Sequence, residues 1–380
     1  MGRLGGPRAL RPAARGLSRR CPLCAAALAS PARDAAAWTA AEASAERHLW
    51  ERNLSAPERR ELLDAVARVL DAGAPLAPLT KTEAPLPRLG PALEAVRRDL
   101  VAGRGFALLR RVPVEGLGRL ERAALALVLA SHFGTLLPQN KQGHLLGHVR
   151  DITGAGADLK KVRIYATADA QPYHTDSADV VGLLCLQPAL EGGLSSFCSS
   201  VAIFQEILAS DPLLANALTE PFHVSRKGEI PPGAGPLYTA PLFHVADGGR
   251  IVCGPNCDRS FIAAVQGMPG VPPLTRSQVE ALDLLETLAA SDRYRVDMML
   301  EPGDLQLLHN HTTLHARSAF RDHAEGPKKR HLLRLWMAPE DGIELPEVFA
   351  ERFGSVKPGR RGGIRVAEPG GAPVIPLDAC

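Results

Sequence analysis

The strongest chemical signal in the sequence is a His-x-Asp pair with a second histidine far downstream. The pair is His174 and Asp176, and the later histidine is His315. Residues i and i+2 of an extended segment point to the same face, so an imidazole and a carboxylate can reach one ion together. Two histidines and one carboxylate around iron leave open positions for oxygen activation. We therefore predict that these three residues bind Fe(II).

Two arginines downstream of this histidine could bind an anionic co-substrate. Arg330 and Arg334 lie four residues apart in an otherwise apolar segment, so a strand would place both on one face. The planar guanidinium binds carboxylates in a bidentate fashion. Burying two such charges is unfavourable without anions to pair with them. The pattern favours a keto acid as co-substrate, with a structural salt bridge as the alternative.

The elements that must position these residues change along the chain. The N-terminal part has helical periodicity, and from Val162 onward short apolar runs alternate with turns. The alternation of strands with long helices that βαβ units require is absent from the second half. We predict a mainly β protein with helical support, arranged as a double-stranded β-helix, or jelly roll.

Local sequence also predicts two helix starts and two core residues. Ser55 with Glu58, and Thr275 with Gln278, have the spacing of a capping box. Cys185 and Cys198 lie in apolar runs and are expected in the core. The other cysteines, at positions 21, 24, 253, 257 and 380, form no convincing four-ligand zinc set, and we expect reduced thiols.

The charge distribution is uneven along the 380 residues. Residues 1–33 contain seven arginines and no acid, so the remainder carries a net charge of −4 although the whole chain carries +3. A mildly acidic body argues against nucleic-acid binding. No apolar run reaches membrane-spanning length, so we expect no membrane partner. The arginine-rich start indicates either a disordered extension or a transit peptide. The expected location is the cytoplasm, or a mitochondrion or plastid if this start is an address.

These features divide the chain into four parts. Residues 1–40 are expected to be a disordered extension or transit peptide, and residues 41–90 a helical N-terminal segment. Residues 91–340 form the predicted catalytic jelly roll. Residues 341–380, rich in glycine and proline, form a C-terminal extension.

The order of the motifs resembles the taurine dioxygenase superfamily, the TauD/TfdA-like group with clavaminate-synthase-like members. The resemblance covers about residues 90–340. It is carried by residues 105–110, His174-Thr175-Asp176, Gly192-Gly193 followed by Leu194-Ser195, Pro302-Gly303-Asp304, His315-Ala316-Arg317, and residues 330–334. It implies an Fe(II) enzyme that uses O2 and 2-oxoglutarate as co-substrate, releases succinate and CO2, and acts on a small molecule.

The resemblance also implies roles for individual residues. Ser195 and Arg334 would hold the far carboxylate of 2-oxoglutarate, and Arg330 would lie near the carboxylate that chelates iron. Relatives that halogenate have a small residue in place of Asp176, so its presence favours hydroxylation or desaturation. Ala170 stands where members acting on sulfonates have asparagine, so taurine itself is not the expected substrate.

Substrate contacts are less clearly indicated. Gln139 and Asn140 occupy a region that borders the substrate in relatives, and a polar loop is the alternative. Arg317 shares the face of the downstream histidine and would hold an acidic substrate or pair with Asp322. Aromatic residues at Tyr173 and Phe320 are expected to wall the cavity or to belong to the core.

Three other interpretations differ in class. A cupin-type metalloenzyme without a keto acid, such as an extradiol dioxygenase or an isomerase, does not explain Arg330 and Arg334. A protein-modifying oxygenase related to the Jumonji group fits the motif order less well. The third alternative is a non-catalytic binding domain on the same fold. Oxygen- and substrate-dependent release of succinate would distinguish the enzyme from such a domain. Nothing in the sequence indicates an oligomeric state.

Overall fold

A computed structural model of the chain describes residues 34–73, 76, 79–153, 163–246, 249–365 and 374–378. Two β-sheets face each other in these residues, with helices packed outside them. The predicted jelly roll with helical support is confirmed. None of the described helices has the length and apolar character needed to cross a membrane.

Of the described helices, five lie before β3 (Thr135–Leu136) and four lie between β8 (Ser195–Ser199) and β13 (Val296–Met298). Their bounds are α1 Ala40–Ala45, α2 Arg47–Trp50, α3 Ala56–Asp71, α4 Gly90–Ala102, α5 Arg119–Ser131, α6 Ser200–Ser210, α7 Pro212–Thr219, α8 Arg259–Ala263, α9 Arg276–Ala289 and α10 Ala350–Phe353. Both predicted capping boxes are present, at the starts of α3 and α9. Each satisfies backbone N–H groups that a helix start leaves without partners.

The strands are short, as the sequence indicated. Their bounds are β1 Glu51–Asn53, β2 Phe106–Arg110, β3 Thr135–Leu136, β4 Leu146–Val149, β5 Gln171–His174, β6 Val180–Gln187, β7 Glu191–Gly192, β8 Ser195–Ser199, β9 Phe222–Ser225, β10 Leu237–Ala240, β11 Phe243–Val245, β12 Ile251–Cys253, β13 Val296–Met298, β14 Leu305–His309, β15 Thr313–Arg317, β16 Phe320–Arg321 and β17 His331–Ala338.

The two sheets divide the predicted site residues between them. The major sheet has the order β1-β2-β14-β6-β17-β3, and β4 also pairs with β17. The minor sheet has the order β13-β8-β15-β5. Side chains of β5, β8 and β15 from the minor sheet line one cavity together with side chains of β17 from the major sheet. Cys185 and Cys198 lie in the core as predicted, both with no exposed surface.

The N-terminal part differs from prediction in two respects. Residues 34–40, expected in a disordered extension, are packed: the Trp38 indole contacts Phe106 at 4.6 Å between ring centroids and donates to the Arg104 carbonyl. Burying so large a side chain gives this segment the apolar contact it needs to order. The segment 41–90 also contributes β1, which pairs in parallel with β2. The earlier part of the predicted extension lies outside the described residues.

Candidate metal centre and its cavity

Antiparallel pairing of β5 with β15 places the two predicted histidine ligands opposite each other. His174 and His315 are direct Cα partners in this register, and their ring centroids are 4.1 Å apart. Asp176 follows β5 and turns its carboxylate between them. Its oxygens lie 4.0 Å from Nε2 of His174 and 3.8 Å from Nε2 of His315. The ligand atoms all lie within 4.8 Å of one another, which brings the predicted triad together.

Hydrogen bonds orient two of these side chains for coordination. Nδ1 of His174 lies 2.9 Å from the carbonyl oxygen of Pro172, which can only accept, so Nδ1 carries the proton and Nε2 keeps its lone pair. The indole Nε1–H of Trp336 donates to Asp176 Oδ2 at 2.9 Å. The backbone N–H of Asp176 donates to Asn310 Oδ1, also at 2.9 Å. One hydrogen bond thus holds the carboxylate and the other holds its backbone before any ion binds.

Electrostatics favour the protonation states that a divalent cation needs. Burial opposes ionisation of Asp176, but Arg334, the two imidazoles and the Trp336 N–H outweigh it and lower the pKa of this carboxyl group. Burial, reinforced by His174, lowers the pKa of His315 to about 3. An ionised carboxylate and a neutral imidazole can both coordinate a cation at neutral pH without first losing a proton. The donor set fits Fe(II) in a two-histidine, one-carboxylate site.

Arg334 lies beside the metal ligands. Its Nη1 is 3.7 Å from Asp176 Oδ1, and its guanidinium stacks between Tyr165 and Trp336, at 4.5 and 4.7 Å from the ring centroids. Its Nε donates to Gln139 Oε1 at 2.8 Å. Three neighbours therefore fix this charge close to the metal end of the cavity.

Arg330 lies at the other end of the same cavity, against the turn that precedes Ser195. A Cβ atom on Gly193 would be 3.1 Å from its Nε. Burial lowers the pKa of Arg330 to about 10, and its Nη1 has no hydrogen-bond partner among the described residues. The two arginines thus lie in the reverse of the predicted order. Spacing predicted their shared face, but could not say which end of the cavity each would reach.

Two further cavity residues are neighbours across the minor sheet. Ser195 and Arg317 are Cα partners between β8 and β15, and both line the cavity with the triad. The Ser195 hydroxyl donates to Gln306 Oε1 at 2.9 Å. Arg317 donates through Nη2 to the carbonyls of Ile164, Thr167 and Asp169. The alternative pairing with Asp322 is not seen among the described contacts. Asp322 Oδ1 accepts the backbone N–H of Arg330, and its Oδ2 has no partner among the described residues.

For three residues with weaker predictions, the structure favours the alternative to a cavity or substrate contact. Gln139 is buried and bonds to Arg334 and two backbone carbonyls, so it supports the cavity wall from behind. Asn140 closes its own loop by accepting the N–H groups of Gln142 and His144. Tyr173 packs on the far side of the minor sheet, because strand alternation points it away from its neighbour His174.

Four further side chains at the site are not predicted from the sequence: Trp336, Asn310, Gln171 and Tyr165. Trp336 was predictable in principle, because it stands two residues after Arg334 and so shares its strand face. Gln171 Nε2 lies 2.9 Å from His174 Nε2, three residues along the same strand. Asn310 comes from a turn and Tyr165 from a one-turn 3-10 helix, Ile164–Ala166, and spacing predicts no side-chain direction for either. Phe320 lies against both Arg317 and Arg330, each 5.0 Å from its ring centroid.

Comparisons with known proteins agree with this geometry. The profile of the family described as "Taurine catabolism dioxygenase TauD, TfdA family" matches residues 72–336. A protein named FR-33289 synthase, from Streptomyces rubellomurinus, is 33% identical over 78% of this chain and 87% of its own length. A protein named uridine-5'-phosphate dioxygenase, from an Amycolatopsis species, is 29% identical over 63% of this chain and 86% of its own.

Solved structures share the fold. Asparagine oxygenase, solved with Fe(II), 3-hydroxyasparagine and succinate, superposes with a TM-score of 0.55 at 20% identity, covering 76% of this chain and 93% of its own. The non-heme iron oxygenase OrfP, solved with Fe, succinate and (3S)-hydroxy-L-Arg, has a TM-score of 0.58 at 16% identity, covering 76% and 94%. The chain belongs to the taurine catabolism dioxygenase TauD, TfdA family and is a non-haem iron, 2-oxoglutarate-dependent dioxygenase.

Proposed function

We propose that this enzyme hydroxylates or desaturates a small acidic molecule at an Fe(II) held by His174, Asp176 and His315. The observation that carries the proposal is the cluster itself: two imidazole nitrogens and a carboxylate, preoriented around one point. When bound there, Fe(II) with 2-oxoglutarate supplies the oxygen activation that yields succinate, CO2 and an oxidised C–H bond. The chain contributes position, charge and exclusion of water.

Arg330 and Ser195 are the proposed anchors of the far carboxylate of 2-oxoglutarate. Both lie at the Gly192-Gly193 turn, and the Nη1 of Arg330 is a buried donor without a partner among the described residues. A buried donor of this kind needs an acceptor, and a carboxylate is the strongest one available. Arg334 lies too close to Asp176 to reach that distant end. Gln139 and the two aromatic rings hold it where it can meet a negative charge near the metal.

The acidic character of the substrate is supported by charge and by the relatives. Among the described residues that line the cavity, three are arginines (Arg317, Arg330 and Arg334) and one, Asp176, is acidic. Fe(II) and a doubly charged 2-oxoglutarate cancel each other, so a positive excess remains for the substrate to offset. Uridine-5'-phosphate, named in one relative, carries a phosphate, and taurine, named in the family, carries a sulfonate.

The direct test is succinate release by the iron-loaded protein. We expect formation of succinate to require Fe(II), O2 and 2-oxoglutarate together, and to rise when a panel of small carboxylates, sulfonates and phosphate esters includes a substrate. The product should gain one oxygen atom or lose two hydrogen atoms by mass spectrometry. Asp176→Ala is the matched negative control. Turnover of a substrate without 2-oxoglutarate would contradict the proposal.

A further inference from the structure

We propose that Arg317 is a second guanidinium of the keto-acid pocket, and that Arg317 and Arg330 together make the enzyme select dicarboxylic over monocarboxylic keto acids. This inference rests on the proposed function and deepens it. It gives Arg317 a role on the co-substrate rather than on the substrate. It also explains why a buried strand of the minor sheet carries a charge facing the major sheet.

The first support is placement. Arg317 is the cross-strand partner of Ser195, the hydroxyl expected at the far carboxylate, and both line the cavity with Arg330. Side chains that are directly opposite in antiparallel strands lie on the same face within contact range. The guanidinium carbons of Arg317 and Arg330 each lie 5.0 Å from the centroid of the Phe320 ring, so both charges lie around this one ring.

The second support is the unused hydrogen-bonding capacity of both side chains. Nη2 of Arg317 donates to three backbone carbonyls and is thereby fixed. Its Nε and Nη1 are buried and have no partner among the described residues, and the same holds for Nη1 of Arg330. Native proteins rarely leave buried donors unsatisfied, so several such donors in one place indicate a missing acceptor.

A carboxylate matches this set of donors. It has two oxygens and about four lone-pair positions, enough for the N–H groups of both arginines that have no partner among the described residues. A keto acid that lacks the far carboxylate would chelate the metal equally well but would leave these donors unpaired. The expected consequence is discrimination by the second carboxylate, since an unmatched polar site rejects the analogue strongly.

The test compares two keto acids on one variant. Arg317→Gln and wild type, both loaded with Fe(II) without oxygen, are titrated calorimetrically with 2-oxoglutarate and with 2-oxobutyrate. We expect the variant to lose about tenfold or more in affinity for 2-oxoglutarate, typical for loss of one charge-assisted contact. Its affinity for 2-oxobutyrate should change less than about twofold, because the lost contact is not made. Arg321→Gln, an exposed arginine four residues away, is the matched control and should leave both unchanged.

The outcomes separate the possible roles. Equal loss of affinity for both keto acids would assign Arg317 a purely structural role in holding its three carbonyls, and would overturn the inference. Unchanged 2-oxoglutarate affinity would overturn it as well and move Arg317 to the substrate. If Arg317→Gln does not fold, Arg317→Lys keeps the charge and should still show a reduced preference for 2-oxoglutarate. An Arg330→Gln variant that keeps full 2-oxoglutarate affinity would instead contradict the proposed function.

Discussion

Two histidine–aspartate clusters are built from the same two segments of this chain, and they have opposite properties. The first is the candidate metal centre. The second joins Asp179, three residues after Asp176, to His311, four residues before His315. In the second cluster Asp179 has no exposed surface and accepts from His311 Nε2 at 2.9 Å and from Arg361 Nε at 2.8 Å.

The difference lies in the partners and not in the residue types. Arg361 comes from the C-terminal extension, and it donates further to the carbonyls of Val356 and Ile343. His311 Nδ1 lies 3.1 Å from the Cys253 carbonyl. This cluster is closed, because the chain itself satisfies its charges. The three candidate metal ligands line a cavity, and guanidinium groups there have N–H donors without a partner among the described residues. A buried cluster whose charges are paired within the chain indicates a structural role. A cluster whose side chains line a cavity indicates a binding or catalytic role.

We expect the largest effect from a substitution in the open cluster, the candidate metal centre. Asp176→Asn removes the anionic ligand while keeping the shape of the side chain, so Fe(II) binding and turnover should fall below detection. The apoprotein should retain its fold and cooperative unfolding, because the carboxylate is not the centre of a closed ion pair. Inductively coupled plasma analysis of iron and a denaturant melt measure both effects. A variant that binds stoichiometric iron would contradict the assignment.

We expect the second largest effect from a substitution in the closed cluster of Asp179, His311 and Arg361. Arg361→Gln leaves the fully buried Asp179 with a weaker set of partners, and the free energy of unfolding should fall by about 3–5 kcal/mol, as for other broken buried pairs. Urea unfolding of the apoprotein measures it. The exposed pair Arg321–Glu191 provides the control, since Arg321→Gln should cost about 1 kcal/mol or less. Equal losses in both variants would mean that the buried cluster is not a stability element.

The smallest effect, counted per residue between pH 7 and pH 5, concerns the buried histidines. Burial, with a contribution from His311, lowers the pKa of His309 to about 3, below the ordinary value of 6.5. The unfolded chain therefore binds this proton more readily than the folded chain. The stabilisation is complete above pH 6.5 and is lost as pH falls toward 3, by up to about 1.4 kcal/mol per pH unit for one group.

The same reasoning applies to His331, whose pKa burial and His148 also lower to about 3. Urea midpoints of the apoprotein should therefore decrease from pH 7 to pH 5, and His309→Gln should show a shallower decrease than wild type. A midpoint that rises over this interval, or an equal slope in the variant, would show that the buried histidines do not govern acid sensitivity.

The sequence predicted the open cluster better than the closed one. His174, Asp176 and His315 were identifiable because strand alternation fixes which residues share a face. The closed cluster was not, because Arg361 comes from a Gly/Pro-rich tail that lacks periodicity. For the same reason the fold class was predictable from many short strands, whereas the three-residue strand β1 was not.

The order of the arginines marks another limit of sequence reasoning. Alternation places Arg330 and Arg334 on one face, but only the packing of β17 against the Gly192-Gly193 turn and Asp176 shows which end each serves. The sequence indicates a substrate contact or a polar loop for Gln139, whereas in the structure its side chain accepts a hydrogen bond from Arg334. Side-chain partners from distant segments decide such cases, and local pattern carries no information on them.

The most direct test of the account is an anaerobic Fe(II) titration of the apoprotein and two histidine variants. We predict one tightly bound Fe(II) per chain in wild type, the same stoichiometry in folded His311→Gln, and no tight binding in His315→Ala. The two histidines are four residues apart and both are buried. They differ in that His315 lines the cavity, whereas His311 pairs with Asp179. Full iron binding by His315→Ala, or its selective loss in His311→Gln, would contradict the distinction between the open and the closed cluster.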